Sequence, residues 1–216
     1  AVLSILRGGE VGIGTASPGA ALHIYKDVGA ADDLGDWDNY QLVIESNSGD
    51  TGDTVGILLT TSSDTYGGSA IVHYDTGVGG QGELAFLTKQ ATGAVPPVEA
   101  MRIDDAGNVG IGVVPDDSWD IVGADAMVAL QIGENGAISA NVDGTGAGSA
   151  IHITANAYYD SGWKHLIAGS DEASRYTQEN GTHQFYTAPA STHSNAAAFT
   201  ERMRIDSSGD VTFTGD

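Results

Sequence analysis

Three stretches of this chain share one pattern, and that pattern dictates much of what can lie between them. The clearest copy is Met101-Arg102-Ile103-Asp104-Asp105-Ala106-Gly107-Asn108-Val109-Gly110-Ile111-Gly112. Met101 and Ile103 fall on one face of an extended strand and Arg102 on the other. The five residues from Asp104 to Asn108 are turn formers: Asp and Asn bond to their own backbone, and Gly107 tolerates φ > 0. Val109 and Ile111 then share a face, with Gly110 and Gly112 opposite. The stretch predicts a hairpin with a glycine-containing loop. Bare glycine in a strand is entropically costly, so Gly110 and Gly112 predict another backbone or strand packed very close.

Met203-Arg204-Ile205-Asp206-Ser207-Ser208-Gly209-Asp210-Val211 repeats the pattern near the end. Leu3-Ser4-Ile5-Leu6-Arg7-Gly8-Gly9-Glu10-Val11-Gly12-Ile13-Gly14 repeats it more loosely at the start. Val11 and Val109 are 98 residues apart, and Val109 and Val211 are 102 apart. Thr88 of Leu84-Ala85-Phe86-Leu87-Thr88 precedes Thr187 of Gln184-Phe185-Tyr186-Thr187 by 99 residues, in step with the hairpins. The spacing divides the chain into 1–18, the hairpin of a preceding unit; 19–115, a first β unit; and 116–216, a second β unit with its closing hairpin. A period this long exceeds one solenoid coil, so each unit is several strands.

Thirty-one glycines and only eight Lys and Arg argue against helices. The runs from Ala124 to Ile132 and from Ala196 to Arg204 are the best helical candidates, but neither shows a capped apolar 3.6 period. Elsewhere short alternating runs read as strands: Leu22 to Tyr25, Leu42 to Ile44, Gly56 to Thr60, Ser69 to Tyr74, Glu83 to Thr88, Ala129 to Ile132, Ala150 to Thr154, Gly162 to Ile167 and Gln184 to Thr187. A polar loop is expected from Ala188 to Asn195. Strands separated by glycine turns predict an all-β fold. A unit of about 100 residues with so few large apolar side chains buries little core by itself. Association supplies the missing area and covers strand edges, so the chain reads as an oligomer.

The net charge is −21, from 29 acids against eight bases. That repels phosphate backbones, which argues against nucleic-acid binding, and it disfavours anionic membrane surfaces. It also keeps a long particle soluble. There are no cysteines, so stability rests on packing and assembly rather than disulfides or thiolate metal sites. No signal peptide is visible, and no apolar run reaches transmembrane length. The chain begins at Ala1 without a methionine, which reads as a fragment or a processed product.

With Arg7-Gly8-Gly9-Glu10-Val11-Gly12-Ile13-Gly14-Thr15-Ala16-Ser17-Pro18, the full second copy followed by Pro115, and Glu201 to Gly215, the chain resembles tail-fibre and related virion-fibre proteins of tailed bacteriophages. Their repeats take the form R-M-R-I-D-x-x-G-x-V-G-I-G-T-x-x-P. The resemblance implies a homotrimeric, β-rich shaft or knob, projecting from a phage tail or capsid surface among other fibre, tail or capsid proteins. It implies no cofactor, no membrane insertion and no catalysis. The third copy departs from the form, with Val211-Thr212-Phe213-Thr214-Gly215 replacing V-G-I-G-T.

Specific sites are sparse. Tyr158, Tyr159, Trp163 and Lys164 form the densest aromatic patch, and aromatic faces stack on sugar rings; a receptor-binding tip for a host-surface glycan would use such a patch, whereas a shaft would pack it. Asp32, Asp33, Asp36 and Asp38, and again Asp116, Asp117 and Asp120, supply loop oxygens of the kind that hold Ca²⁺, but without EF-hand spacing, so no metal site is assigned. A histidine such as His152 could meet symmetry mates on a trimer axis; a locally satisfied strand histidine is the plainer reading. A glycan depolymerase would need two carboxylates flanking a cleft, and no pair stands out. No serine sits in a nucleophile elbow.

Overall fold

A computed structural model describes residues 3–27, 39–46, 50–61, 67–77, 81–93, 95–116, 119, 127–141, 150–167, 169 and 171–215. The described chain is all-β, with no helix. It forms two compact units, 1–47 and 48–216.

In the first unit, β1 (Leu3–Ile5) and β2 (Val11–Ile13) form the expected hairpin, and β3 (Leu22–Ile24) pairs with β2 in parallel. Leu42, Val43 and Ile44 form no strand; they lie in exposed coil. A three-residue apolar run by itself does not create a pairing partner.

The second unit is built on one sheet of twelve strands. Its first half comprises β4 (Thr54–Leu59), β5 (Ser69–Asp75), β6 (Gly82–Thr88), β7 (Val98–Ile103), β8 (Val109–Ile111) and β9 (Met127–Ile132). Its second half comprises β10 (Gly136–Asn141), β11 (Ala150–Ala155), β14 (Asp171–Glu179), β15 (Thr182–Ser191), β16 (Thr200–Ile205) and β17 (Val211–Phe213). Spatial order follows chain order throughout. All neighbours are antiparallel except β8 and β9, which are parallel. Between β11 and β14 the chain leaves the sheet to form a small hairpin, β12 (Ala157–Tyr159) and β13 (Trp163–His165). Neither helical candidate is helical where described: 127–132 is β9, and 196–199 is coil with a single bridge at Ala196 that leads into β16 at 200–205. The loop expected from Ala188 begins only after Ser191, where β15 ends.

The three hairpin turns are built alike. In each, the first turn residue donates its N–H to the fifth residue's carbonyl and accepts from the N–H of the fourth: Leu6 with Glu10 and Gly9, Asp104 with Asn108 and Gly107, Asp206 with Asp210 and Gly209. The fourth residue has φ of +97°, +89° and +92° respectively, which only glycine adopts readily. Asp104 and Asp206 each accept two further turn N–H groups through Oδ1, as the Asx chemistry requires. Asn108 extends the second turn: Nδ2 donates to Asp104 Oδ2 at 3.0 Å, and Oδ1 accepts from Ala129 N of β9 at 2.9 Å.

The repeat extends to a bulge. On β6–β7 the register slips between Phe86 and Leu87, leaving Ala100 as the extra residue; on β15–β16 it slips between Phe185 and Tyr186, leaving Arg202. Residues i and i+3 of a regular strand point to opposite faces. The extra residue re-phases the strand, so Glu99 reaches Arg102 and Glu201 reaches Arg204. Arg102 Nε donates to Glu99 Oε1 at 2.9 Å, and Arg204 Nε to Glu201 Oε1 at 3.0 Å. Arg102 also pairs with Glu83 and lies over the Tyr74 ring.

Register sorts the sheet into two unlike faces. One carries a transverse row with one residue from every strand: Val55, His73, Leu84, Ile103, Val109, Leu130, Ile138, Ile153, Tyr176, Phe185, Met203 and Phe213. Beside it on the same face stand Ile57, Ile71, Ile111, Val128, Ile132, Ile151 and Val211. Much of this face is bare: Ile153 is 49% exposed and Phe213 75%. The other face is polar or small, and the core sits there, where β12 and β13 fold across it. Trp119, Met127, Ala129, Ala137, Tyr158 and Leu166 form one cluster, with Tyr159 and Trp163 against it. Ala157, Ala173, Ala188 and Ala197 form another, against Trp163 and Phe199.

Candidate functional site

The small hairpin covers the sheet only in part, leaving a half-open cavity of about 220 Å³ at its edge. Three of the residues that line its sheet side, His152 of β11, Thr177 of β14 and Gln184 of β15, are paired side by side in register. They project to the face opposite the apolar row because each is the immediate sequence neighbour of one of its members, Ile153, Tyr176 and Phe185. His152 Nδ1 and Thr177 Oγ1 lie 2.9 Å apart. Gln184 Nε2 donates to Thr182 Oγ1 at 2.8 Å, and its Oε1 accepts from Tyr186 OH at 2.5 Å. Asn141 and Glu179 complete its polar lining.

Tyr159 and Trp163 form the wall. They face each other across β12–β13 in register, with their rings edge to face at 5.5 Å. The His152 ring meets the Trp163 ring edge-on at 4.9 Å. Arg175 and Tyr186 also line the cavity; the Arg175 guanidinium lies 4.2 Å from the Tyr186 ring centre, 4.6 Å from Trp163 and 4.9 Å from Phe199. Arg175 makes no ion pair among the described residues, and its buried Nε has no hydrogen-bond partner there. Cation–π attraction to three rings offsets part of that desolvation. Burial lowers the Arg175 pKa, while Tyr186 and Glu179 oppose the change.

Burial, and secondarily the Arg175 charge, pushes His152 down from 6.5 to about 4. The imidazole is therefore neutral in the fold at neutral pH. Between those two values the unfolded chain binds the extra proton, so folding stability falls as pH drops through that window. At 1.36 kcal/mol per pKa unit the loss is on the order of 3 kcal/mol. Urea unfolding from pH 7 to 4 is expected to show this decline, and His152→Gln to flatten that part of the profile. A variant with an unchanged profile would contradict the assignment.

The four residues singled out by the aromatic patch are placed differently. Tyr159 and Trp163 line the cavity. Tyr158 is 1% exposed, in the core against Trp119, with its hydroxyl donating to Ser194 Oγ at 3.2 Å. Lys164 pairs with Asp160 within the hairpin. Nothing local in the sequence marks His152, Thr177, Gln184 or Arg175 as neighbours of that patch; strand register brings them there.

Of the aspartate clusters, Asp32, Asp33, Asp36, Asp38, Asp117 and Asp120 lie outside the described residues. Asp116 Oδ2 is 3.5 Å from His193 Nε2, and its N–H donates to Gln131 Oε1. His152 lies on the polar face in contact with Thr177 and Trp163, the arrangement of a locally satisfied strand histidine. The histidines on the apolar face are His73 and His183.

No family model and no curated protein matches this chain. Among solved structures it is similar to the carboxy-terminal domain of the bacteriophage T5 L-shaped tail fibre, with 13% identity and a TM-score of 0.36. The match covers 95% of this chain and 90% of that one.

Proposed function

We propose that the chain is a structural segment of a virion fibre or spike. It works as a homotrimeric shaft or knob that projects from a phage particle and connects to other fibre, tail or capsid proteins. The observation that supports this most is the row from β4 to β17, apolar except at His73 and open to solvent in a single chain. Contiguous exposed apolar surface of this extent marks an interaction face. Further copies of the same face are fitting partners, because the row is uncharged while the chain as a whole carries −21 and would repel itself through most other surfaces. The number three comes from the resemblance of the hairpin repeat to fibre proteins.

The test uses the absence of cysteine from the chain. Ile151→Cys, on the apolar face, is expected to form inter-chain disulfides under mild oxidant at micromolar protein. A cysteine at exposed Gly169, off that face, is the control. Equal cross-linking at both positions, or none at Ile151, would contradict the reading.

A second reading, recognition of a host-surface glycan by this segment, is favoured by the cavity that Tyr159 and Trp163 line. No comparable observation favours a depolymerase: Glu83 and Glu99, which approach a common point, are both engaged by Arg102.

A further inference from the structure

We propose that the cavity between the β12–β13 hairpin and the sheet binds one neutral pyranose ring of a glycan. The inference rests on the glycan-recognition reading and supplies its site and the chemical class of its ligand.

The lining excludes the other small-molecule classes in turn. An apolar ligand would cut off from water the hydrogen-bonding capacity that Asn141, His152 and Gln184 keep beyond their bonds within the chain, and unpaired buried polar groups are costly. These side chains offer both donors and acceptors, as a ring of hydroxyls requires. The imidazole contributes without charge, because burial keeps it neutral at neutral pH. An anionic ligand would meet Glu179 in the lining of a chain carrying −21. Arg175, the one cation of the lining, already has its guanidinium held against three rings. A free cation would find only one carboxylate. The volume, about 220 Å³, lies below the roughly 300–1,000 Å³ of sites for drug-sized ligands, so it suits one ring rather than an extended chain.

Tyr159 and Trp163 then have a defined role. The C–H face of a pyranose is apolar while its rim is polar, and an aromatic wall above a polar floor matches both at once. The site also stays accessible if copies associate through the apolar row, because it lies on the opposite face of the sheet.

The experiment is saturation-transfer NMR on the full chain with methyl galactopyranoside, methyl glucopyranoside and methyl mannopyranoside, and with methyl glucuronide as the anionic comparison. The expected result is transfer to the ring C–H protons of at least one neutral glycoside, stronger than to the glucuronide. Tyr159→Ala is expected to weaken that binding at least about tenfold. Asn141→Ala, also in the lining, is the second variant should Tyr159→Ala fail to fold. Circular dichroism and solution mass are measured on the same samples. Three results would overturn the proposal: no transfer to any neutral glycoside, transfer untouched by a folded variant, or preference for the glucuronide. A correctly assembled chain that takes no sugar sinks the sugar site alone, whereas a chain of the wrong mass sinks the fibre reading.

Discussion

Gly110→Val is expected to cost about 3 kcal/mol of folding stability, the upper range for forcing volume into a filled space. Gly110 is the middle residue of β8, and the chain after β8 folds back across it. A Cβ built there would stand 2.2 Å from Val113 O and 2.8 Å from Pro115 Cδ. The first of these is backbone and the second a rigid ring, so neither can swing aside as a flexible side chain would. The first copy has the same construction: a Cβ on Gly12 would stand 2.4 Å from Thr15 O. The third copy shows the alternative. Thr212 occupies the equivalent position; Thr214 N donates to Arg202 O as Gly112 N does to Ala100 O, and Thr214 Oγ1 adds a bond to Glu201 O. Natural domains have only about 5–15 kcal/mol in hand, so the loss is large. Urea titration should lower the midpoint without changing the slope. Gly169→Ala is the control, because its Cβ meets nothing within 4 Å and its φ is ordinary; it should stay within about 0.5 kcal/mol of the parent. Equal effects at the two glycines would contradict the close approach.

Ile153→Asp carries the other large effect. In a single chain Ile153 is 49% exposed, and an aspartate there gives up half a side chain's burial and a strand-favouring residue, about 1–2 kcal/mol. In an assembly closed over the apolar row, the same aspartate becomes an uncompensated buried charge at a cost of about 3–5 kcal/mol per chain. The expected outcome is loss of association with a folded single chain left behind, seen as a drop in sedimentation coefficient. Ile153→Val should assemble normally. If Ile153→Asp leaves the sedimentation unchanged, that part of the row is not an interface.

The three hairpins were legible because their information is local. An Asp or its substitute, a glycine at the fourth turn position and an alternating strand on each side specify a turn without help from the rest of the chain. The need for bare glycine at 110 was legible for the same reason. The parallel pairing of β8 with β9 was harder to see. Ala21-Leu22-His23-Ile24 and Ala129-Leu130-Gln131-Ile132 are its signature, each pairing Val-Gly-Ile with Leu-x-Ile, but the connections differ in length by ten residues. Strand β14 was hidden because Asp171-Glu172-Ala173-Ser174-Arg175-Tyr176-Thr177 shows no apolar alternation. Its inward positions, Ala173, Arg175 and Thr177, face the polar side of the sheet, where small and polar residues pack. Leu42 to Ile44 misled in the opposite sense, since a short apolar run does not distinguish a strand from coil. For the cavity, Tyr159 and Trp163 were visible as an aromatic patch. Its floor was not, because residues 152, 177 and 184 become neighbours only through the register of three strands.

The central claim is self-association through the apolar row, and the solution mass of the isolated chain by light scattering, with and without a chelator, tests it most directly. The account predicts the mass of three chains, unchanged by the chelator. A folded, monodisperse single chain would contradict it.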